Sequence, residues 1–288
     1  VTDAEELGIP LTAGDLAGYV PHLSAVERGF YRGHDIDVVP GLTAGPTLER
    51  SLETLERHLP EPGESPGVPA YGAYARTLFD AFDHRLEYVG DVPDTGPAAH
   101  TTHLSVSDRE GNLVSLTMTL LSLFGSKVML PRTGILLNNG MMWFDPRPGR
   151  PNSISPGKRP LSNMCPTVLL RADGQRFALG ASGGRRIMPA VFQLISFLTD
   201  YGRDVEAAMH QPRIDSSGTD LVTLAARLSP DVIVALDASP RARVRSNGVY
   251  PTLCACPSIV GFDPASGTSS GAAFIASPRA AALAEPGA

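Results

Sequence analysis

The stretch TTHLSVSDREGNLVSLTMTLL, residues 101–121, decides the fold class of this chain. THLSVSD alternates in polarity, REGN is typical of a tight turn, and LVSLTMTLL alternates again or is buried, so the stretch predicts a β-hairpin. CPTVLLRADGQRFALGAS, residues 165–182, predicts two further strands around a polar turn, and TGILLNNGMMWF, residues 133–144, predicts another. This part of the chain therefore predicts a mainly antiparallel sheet.

Helical patterns lie on both sides of these strands. Thr12 is placed to cap a first helix, and FYRGHDIDVV, residues 30–39, is strand-like. Four segments are predicted to be helices, the first because it is amphipathic and the second because its apolar residues recur every three or four positions. These are residues 47–59, 70–89, 187–202 and 204–212. Because strands and helices are both abundant but segregated, the sequence predicts an α+β fold built in layers.

Composition excludes several classes of function. A net charge of -6 and the lack of a basic stripe predict no nucleic-acid partner. No apolar run approaches the roughly 20 residues that span a bilayer. The acidic opening VTDAEELGIP is unlike a secretory signal, so we expect a cytoplasmic protein without a membrane partner. Three cysteines without a CxxC spacing predict neither a disulfide framework nor a metal site, and no cofactor motif is present.

Two segments could supply a nucleophile. GASGG, residues 180–184, matches the nucleophile elbow of α/β-hydrolases and would make Ser182 the nucleophile, with Asp200 or Asp204 and His210 as partners. Those partners follow within 30 residues, whereas an α/β-hydrolase draws them from separate strand ends, and alternating βα units are missing. A glycine pair between a strand and a helix has another use, since its N–H groups can hold an oxyanion.

Thr101 is the second candidate nucleophile. A threonine hydroxyl is weak unless a base lies beside it, and a threonine at a chain terminus can use its own α-amine, whose ordinary pKa is about 7.7–8.0. This arrangement needs a flexible stretch before a strand and a second hydroxyl near the threonine. GDVPDTGPAAH, residues 90–100, supplies the first, and Thr117 or Thr119 on the paired strand supplies the second. The pattern alone does not decide, because many strands begin with a threonine pair.

Several segments, in one order, resemble a known family. Residues 101–126, 133–153, 157–170 and 180–187 resemble the small subunit of γ-glutamyltranspeptidases, which are N-terminal-nucleophile hydrolases. LTAGDLAGY, YRGHDIDVVP and DAFDHRLEYVGD, upstream of Thr101, resemble the closing portion of that family's large subunit. The resemblance extends to divergent members that act in antibiotic biosynthesis.

The resemblance implies an architecture and a processing event. The fold would be a four-layer αββα sandwich, with residues 1–100 as the end of the large subunit and residues 101–288 as the small subunit. The chain would cut itself between His100 and Thr101, so that the mature protein is a heterodimer of two fragments from one precursor. We also expect a further N-terminal segment of the large subunit to complete it.

The resemblance also assigns a catalytic machinery. Thr101 would be the nucleophile and first residue of the small subunit, and Thr119 would orient its amine or hydroxyl. Gly183 and Gly184 would supply the N–H groups of the oxyanion hole, which leaves Ser182 as their neighbour and not as the nucleophile.

Substrate recognition departs from the family pattern. Ser162 would bind the substrate carboxylate, with Asn163 where the family has a second serine. Leu121, Gly140 and Trp143 stand where the family has polar or acidic groups that accept hydrogen bonds from the α-ammonium of the glutamyl donor. Side chains without acceptors would leave a buried ammonium unpaired, at a cost of several kcal/mol.

We therefore expect a self-processing hydrolase or acyltransferase that acts on a small non-standard substrate of secondary metabolism, at an amide or at a C–C bond beside a carbonyl. An ordinary γ-glutamyl transferase or glutathione hydrolase is one alternative, and an unprocessed scaffold without activity is another. His103, Arg185 and Arg186 lie near the expected site, and we assign them structural roles.

Overall fold

The computed structural model of the protein describes residues 1–89, 99–217, 221–238, 242–245, 254–274 and 280–285. The α-helices in this part of the chain are α1 (Thr2–Glu6), α2 (Ala13–Gly18), α3 (Gly45–His58), α4 (Val68–His84), α5 (Ile187–Thr199), α6 (Val205–His210) and α7 (Pro230–Asp237). The strands are β1 (Glu27–Tyr31), β2 (His34–Val38), β3 (Ala99–Ser107), β4 (Leu113–Ser122), β5 (Thr167–Leu170), β6 (Arg176–Ser182), β7 (Ile214–Asp215), β8 (Val222–Ala225), β9 (Ala242–Arg245), β10 (Cys256–Asp263) and β11 (Thr268–Ala273). The expected mixture of helix and sheet is confirmed.

The main sheet of the described residues has six strands in the order β1-β2-β5-β6-β10-β11, and every neighbouring pair in it is antiparallel. The strand-like segment 30–39 is a hairpin and not a single strand, because Arg32 and Gly33 both have positive φ, at 48° and 84°. Two such residues in a row form the type of turn that joins two twisted strands. A smaller sheet, β7-β8-β9, contains the parallel pair β8–β9.

Helices cover one face of the main sheet. Along β6, Phe177, Leu179 and Ala181 point into the same buried cluster as most of α5. Tyr74 of α4 contacts the ring of Phe192 edge-on, at 5.7 Å between centroids. Alternate residues of a strand face opposite sides, so Ala178 and Gly180 face the other side of the sheet.

The predicted hairpin, β3 with β4, lies on that other side. The His103 ring occupies the space where a side chain at position 180 would stand, so Gly180 allows the hairpin to approach the sheet closely. Ser115 Oγ donates a hydrogen bond of 2.9 Å to the carbonyl oxygen of Leu179. Helices, main sheet and hairpin form three layers in the described part of the chain.

The polarity of this hairpin is inverted relative to an ordinary surface sheet. Seven of its half-buried residues, on the face towards the main sheet, are polar: Thr101, His103, Ser105, Ser107, Ser115, Thr117 and Thr119. Its exposed face carries the apolar ones: Leu104, Val106, Val114, Leu116 and Met118, each at least 43% exposed. An antiparallel sheet with one solvated face normally places its polar residues there.

The strand predicted over residues 133–144 is wrong. Met129 and Leu136 form an isolated bridge, and residues Gly140–Trp143 form a 3₁₀ turn. Gly134 has φ +68°, which breaks an extended run, and the Asn138 side chain accepts a hydrogen bond of 2.8 Å from the Gly140 N–H. Local side-chain hydrogen bonds of this kind compete with strand pairing.

In the described residues, each helix is too short or too polar to cross a bilayer.

Candidate active site

Thr101 and Thr119 face each other across the hairpin. They are register partners, and their Oγ1 atoms lie 3.0 Å apart. The Leu121 N–H donates a hydrogen bond of 2.8 Å to Thr119 Oγ1. Either hydroxyl can donate the hydrogen bond that joins Thr119 Oγ1 to Thr101 Oγ1, since each is both a donor and an acceptor. The structure thus brings the predicted nucleophile together with its predicted orienting residue.

The strand register breaks at the predicted cleavage position. Pairing between β3 and β4 is regular from Thr101 to Ser107, but it shifts between His100 and Thr101. Such irregularities occur often beside active sites, where they redirect the chain. Residues 90–98, most of the segment expected to precede the cleavage position, lie outside the described residues.

The His103 side chain lies between the hairpin and the main sheet, where two hydroxyl groups of the hairpin contact it. Its Nδ1 atom lies 2.8 Å from Thr117 Oγ1, and its Nε2 atom lies 3.0 Å from Ser105 Oγ. Burial lowers the pKa of this imidazole from 6.5 to about 4, so the ring is neutral at pH 7. These contacts agree with a structural role for His103.

Gly183 and Gly184 form the turn between β6 and the short 3₁₀ segment Gly184–Arg186 that leads into α5. Gly183 has φ +142° and Gly184 has φ +62°, backbone conformations that residues with a side chain rarely adopt. A Cβ atom at position 183 would lie 2.9 Å from Cα of Ala255. The first N–H groups of a helical turn have no acceptor within the turn, and β3 contacts this segment. The turn is therefore suited to hold an oxyanion.

The alternative triad around Ser182 is not assembled. The Asp204 carboxylate caps α6 by accepting a hydrogen bond of 2.7 Å from the Ala207 N–H. Asp200 is buried at the other end of α5, where it accepts a hydrogen bond of 2.7 Å from the hydroxyl of Tyr31. Neither carboxylate is free to orient a catalytic histidine.

Asn139 brings two of the predicted recognition positions together. Its N–H donates to the carbonyl oxygen of Leu120 at 3.2 Å, and its Oδ1 accepts from the N–H of Ser122 at 3.0 Å. Leu121 lies between those two residues, and Gly140 directly follows Asn139. The end of β4 and the 3₁₀ turn are thus fixed side by side.

The third position, Trp143, joins the same cluster. A Cβ atom at Gly140 would lie 3.7 Å from the Trp143 ring, so the indole lies beside that glycine. The buried Asn152 donates to the Trp143 carbonyl at 2.6 Å and accepts from the Leu161 N–H at 3.0 Å. Asn152 therefore connects the indole segment to the segment that carries Ser162.

Leu121 has an unusual backbone conformation. Its φ of +71° lies in the left-handed region, which costs a residue with a branched side chain about 1–2 kcal/mol. Asparagine tolerates this region better than leucine does. The apolar side chain is therefore present at the end of β4 in spite of backbone strain.

Ser162 and Asn163 belong to a segment tied to the upstream part of the chain. The Ser162 N–H donates to the carbonyl oxygen of Leu42 at 2.9 Å, and the Ala44 N–H donates to the carbonyl oxygen of Met164 at 3.0 Å. No hydrogen bond between described residues joins Thr101 to this pair.

Sequence reasoning missed Asn152 and Arg85, both of which hold the recognition segments. Arg85 donates hydrogen bonds to Ser162 and Asn163. Arg85 lies inside the motif DAFDHRLEYVGD, and an arginine at the end of an apolar helix could have indicated a buried, hydrogen-bonded side chain.

The two arginines after the glycines contact the protein itself. Arg186 Nε lies 3.9 Å from Asp215 Oδ2, and the Arg185 guanidinium lies 5.5 Å from the ring centroid of Phe82. Burial raises the pKa of Asp215 to about 6, although the nearby Arg186 lowers it. Within the described ranges, His, Cys, Asp and Glu form no group of three that could hold a metal ion.

Comparisons with known proteins place the chain in a family. The family model "Gamma-glutamyltranspeptidase" matches residues 69–250. The Acylase ACY 1 proenzyme of Pseudomonas sp. (strain SE83) is 39% identical over 300 residues, which cover 90% of this chain and 52% of the acylase. The glutathione hydrolase proenzyme of Bacillus subtilis (strain 168) is 42% identical over 124 residues, covering 43% of this chain and 21% of that protein.

A solved structure extends the likeness to the whole fold. The crystal structure of cephalosporin acylase from Bacillus halodurans superimposes with a TM-score of 0.82 at 23% identity, covering 95% of this chain and 55% of that chain. The chain spans about half the length of both acylases. The chain belongs to the γ-glutamyltranspeptidase family, whose members similar to it are glutathione hydrolases and acylases.

Proposed function

We propose that this chain carries the nucleophile of a self-processing acyl-transferring hydrolase. The observation that supports this most strongly is the Thr101–Thr119 hydroxyl pair, with 3.0 Å between the oxygens, directly after the break in strand register. The acylase and the glutathione hydrolase similar to this chain are both named proenzymes, which fits a precursor that is cut.

The chemistry uses one nucleophile twice. In processing, Thr101 Oγ1 attacks the carbonyl carbon of His100, the peptide nitrogen leaves as the new α-amine, and water hydrolyses the resulting ester. In turnover, that α-amine takes the proton of Thr101 Oγ1 as the oxygen attacks the acyl donor. The N–H groups of Gly183 and Gly184 hold the oxyanion, the leaving group departs with the proton, and water or an acceptor releases the acyl group.

The acyl donor is proposed to carry a carboxylate but no α-ammonium. Ser162 and Asn163 offer a hydroxyl and an amide, which can donate to a carboxylate. Leu121, Gly140 and Trp143 offer no side-chain acceptor for an ammonium, and the structure clusters them. A dicarboxylic acid bound through one amide, in a pathway of secondary metabolism, has the required chemistry.

Glutaryl-p-nitroanilide and γ-glutamyl-p-nitroanilide test this assignment, because they differ only in the α-ammonium. We expect kcat/KM for the glutaryl compound to be about 100-fold higher, since a desolvated ammonium without acceptors costs several kcal/mol. Release of p-nitroaniline by the full-length natural protein measures it. An equal or greater rate with the γ-glutamyl compound would contradict the proposal and favour an ordinary γ-glutamyl transferase.

The variant Leu121→Asn is the matched comparison for this experiment. Asparagine places an amide acceptor at the end of β4 and tolerates the φ of +71°. We expect this variant to reduce the ratio of kcat/KM between the glutaryl and the γ-glutamyl anilide without lowering the thermal stability of the protein.

The proposed αββα sandwich needs a further layer over the hairpin. The outer face formed by Leu104, Val106, Val114, Leu116 and Met118 is apolar and exposed in the described residues. An apolar patch of this kind marks an interaction surface. We assign its cover to a segment of the full-length large subunit outside these 288 residues, because the chain spans only 52% of the acylase.

The variant Leu116→Asp tests this layer. Placing a carboxylate under a covering segment buries an unpaired charge, so we expect the full-length protein to lose several kcal/mol of stability and to process poorly. Leu23→Asp is the control, since Leu23 is 93% exposed and lies outside the hairpin. Equal melting temperatures for the two variants would show that the outer face of the hairpin is not covered.

A further inference from the structure

Arg85 lies at the junction between the two proposed fragments. It follows the last residue of α4 and begins a π-helical turn, Arg85–Val89. Its residue is only 1% exposed, and an arginine buried to this degree requires acceptors for its fixed fork of donors.

The two ends of the guanidinium bind different segments. Nη1 donates to the carbonyl oxygen of Thr43 at 3.2 Å and to Thr47 Oγ1 at 3.0 Å, both within the upstream fragment. Nη2 donates to the carbonyl oxygen of Ser162 at 2.7 Å and to Asn163 Oδ1 at 3.3 Å. One side chain thus connects the end of the large-subunit portion to the predicted carboxylate-binding pair.

The contact with Arg85 determines whether Asn163 offers a hydrogen-bond donor or an acceptor on its other side. An amide side chain has an acceptor end and a donor end, and their assignment follows from the hydrogen-bond network. A guanidinium has no acceptor, so only the carbonyl oxygen of the amide can face Arg85. The Nδ2 donors must then point away from Arg85.

We propose that Arg85 is a positioning residue that fixes the Asn163 amide with its NH₂ end towards the acyl donor, which makes position 163 a hydrogen-bond donor for a carboxylate. This inference rests on the proposed function of the site. It assigns Arg85 a role in specificity that acts through Asn163, without contact between Arg85 and the substrate.

The geometry also requires arginine at position 85. A lysine carries the same charge but a single donor point, so it cannot bind both segments at once. The variant Arg85→Lys therefore retains the positive charge while releasing the Asn163 amide.

The test compares two anilides of equal acyl length in the full-length protein: glutaryl-p-nitroanilide, with a terminal carboxylate, and valeryl-p-nitroanilide, without one. For Arg85→Lys we expect the glutaryl-to-valeryl ratio of kcat/KM to fall about tenfold or more, through KM more than kcat, because a charge-assisted hydrogen-bond arrangement is lost. Arg76→Lys is the control, since Arg76 is exposed on α4, the helix that Arg85 directly follows.

A second variant tests the donor role of the Asn163 amide directly. In Asn163→Asp, one carboxylate oxygen pairs with Arg85 and the other replaces the donor, so we expect the glutaryl-to-valeryl ratio to fall about 100-fold. Because the new carboxylate still pairs with Arg85, we expect this variant to stay folded. The lower glutaryl-to-valeryl ratio would then result from the lost donor and not from unfolding.

The outcomes separate this inference from the proposed function. Suppose that the natural protein hydrolyses the glutaryl compound through Thr101, but Arg85→Lys lowers kcat/KM equally for the two anilides. Arg85 then has only a structural role, and the inference is wrong while the proposed function stands. If the parent protein hydrolyses neither anilide, the proposed acyl donor is wrong, and the inference falls with it.

Discussion

Replacing Thr101 by alanine is expected to abolish both cleavage of the chain and turnover of substrate. Alanine removes Oγ1, which lies 3.0 Å from Thr119 Oγ1 and is the only atom of this side chain that can form an acyl ester. Loss of a nucleophile lowers kcat by at least about 10³-fold. A denaturing gel should show one uncut band for Thr101→Ala, and two fragments for the natural protein.

Two variants give this result its controls. Thr101→Ser keeps a hydroxyl and should restore cleavage, whereas Thr102→Ala changes an exposed neighbour and should cleave normally. If Thr101→Ala gave two fragments with the same boundary as those of the natural protein, another group would be responsible for the cleavage. A natural protein that stays uncut would instead favour an inert scaffold.

Replacing Gly183 by alanine is expected to lower kcat by about 10²–10³-fold, the effect of losing one oxyanion-hole donor. The φ of +142° disfavours alanine, and its Cβ atom would meet Ala255 at 2.9 Å, so the turn must shift. A displaced N–H no longer points at the oxyanion. Rates of p-nitroaniline release, measured on protein whose processing has been checked by gel, report the loss.

Gly267→Ala is the matched control for backbone strain. Gly267 also has a positive φ, at +68°, but a Cβ atom there meets nothing within 4 Å. Its variant should lose some stability and retain its kcat. Equal losses of kcat in both variants would mean that strain, and not the oxyanion hole, explains the effect at Gly183.

The catalytic elements were predictable because each depends on local sequence. Strict alternation over residues 101–107 and 113–119, with a polar turn between, predicts a hairpin. It left both Thr117 and Thr119 open as the hydroxyl near Thr101, and the structure pairs Thr101 with Thr119. The glycine pair after a buried strand likewise predicts a turn with exposed N–H groups. The nucleophilic role of Thr101 came from the family resemblance, and it stays a prediction.

Other features depend on contacts between distant residues. Alternation gives the hairpin two faces, but it does not say that the polar face meets the main sheet, which follows from the approach of His103 to Gly180. The apolar residues of the segment 133–144 predicted a strand, because the pattern did not reveal the local hydrogen bond from the Gly140 N–H to the Asn138 side chain.

The recognition segments illustrate the same limit. Arg85 and Asn163 are 78 residues apart, and no periodicity connects them. Leu121 with φ +71° contradicts the local preference of leucine, so sequence propensity alone would not place it there. Side chains that hold a site from another part of the chain become apparent only in three dimensions.

We propose that Thr101 becomes a chain terminus and then carries the acyl group. Intact-mass analysis of the full-length protein, quenched in acid during turnover of glutaryl-p-nitroanilide, measures both events. We expect a fragment that begins at Thr101 and gains the mass of one glutaryl group, with the adduct on Thr101 after peptide mapping. An adduct on Ser182, or turnover by a chain still intact between His100 and Thr101, would contradict it.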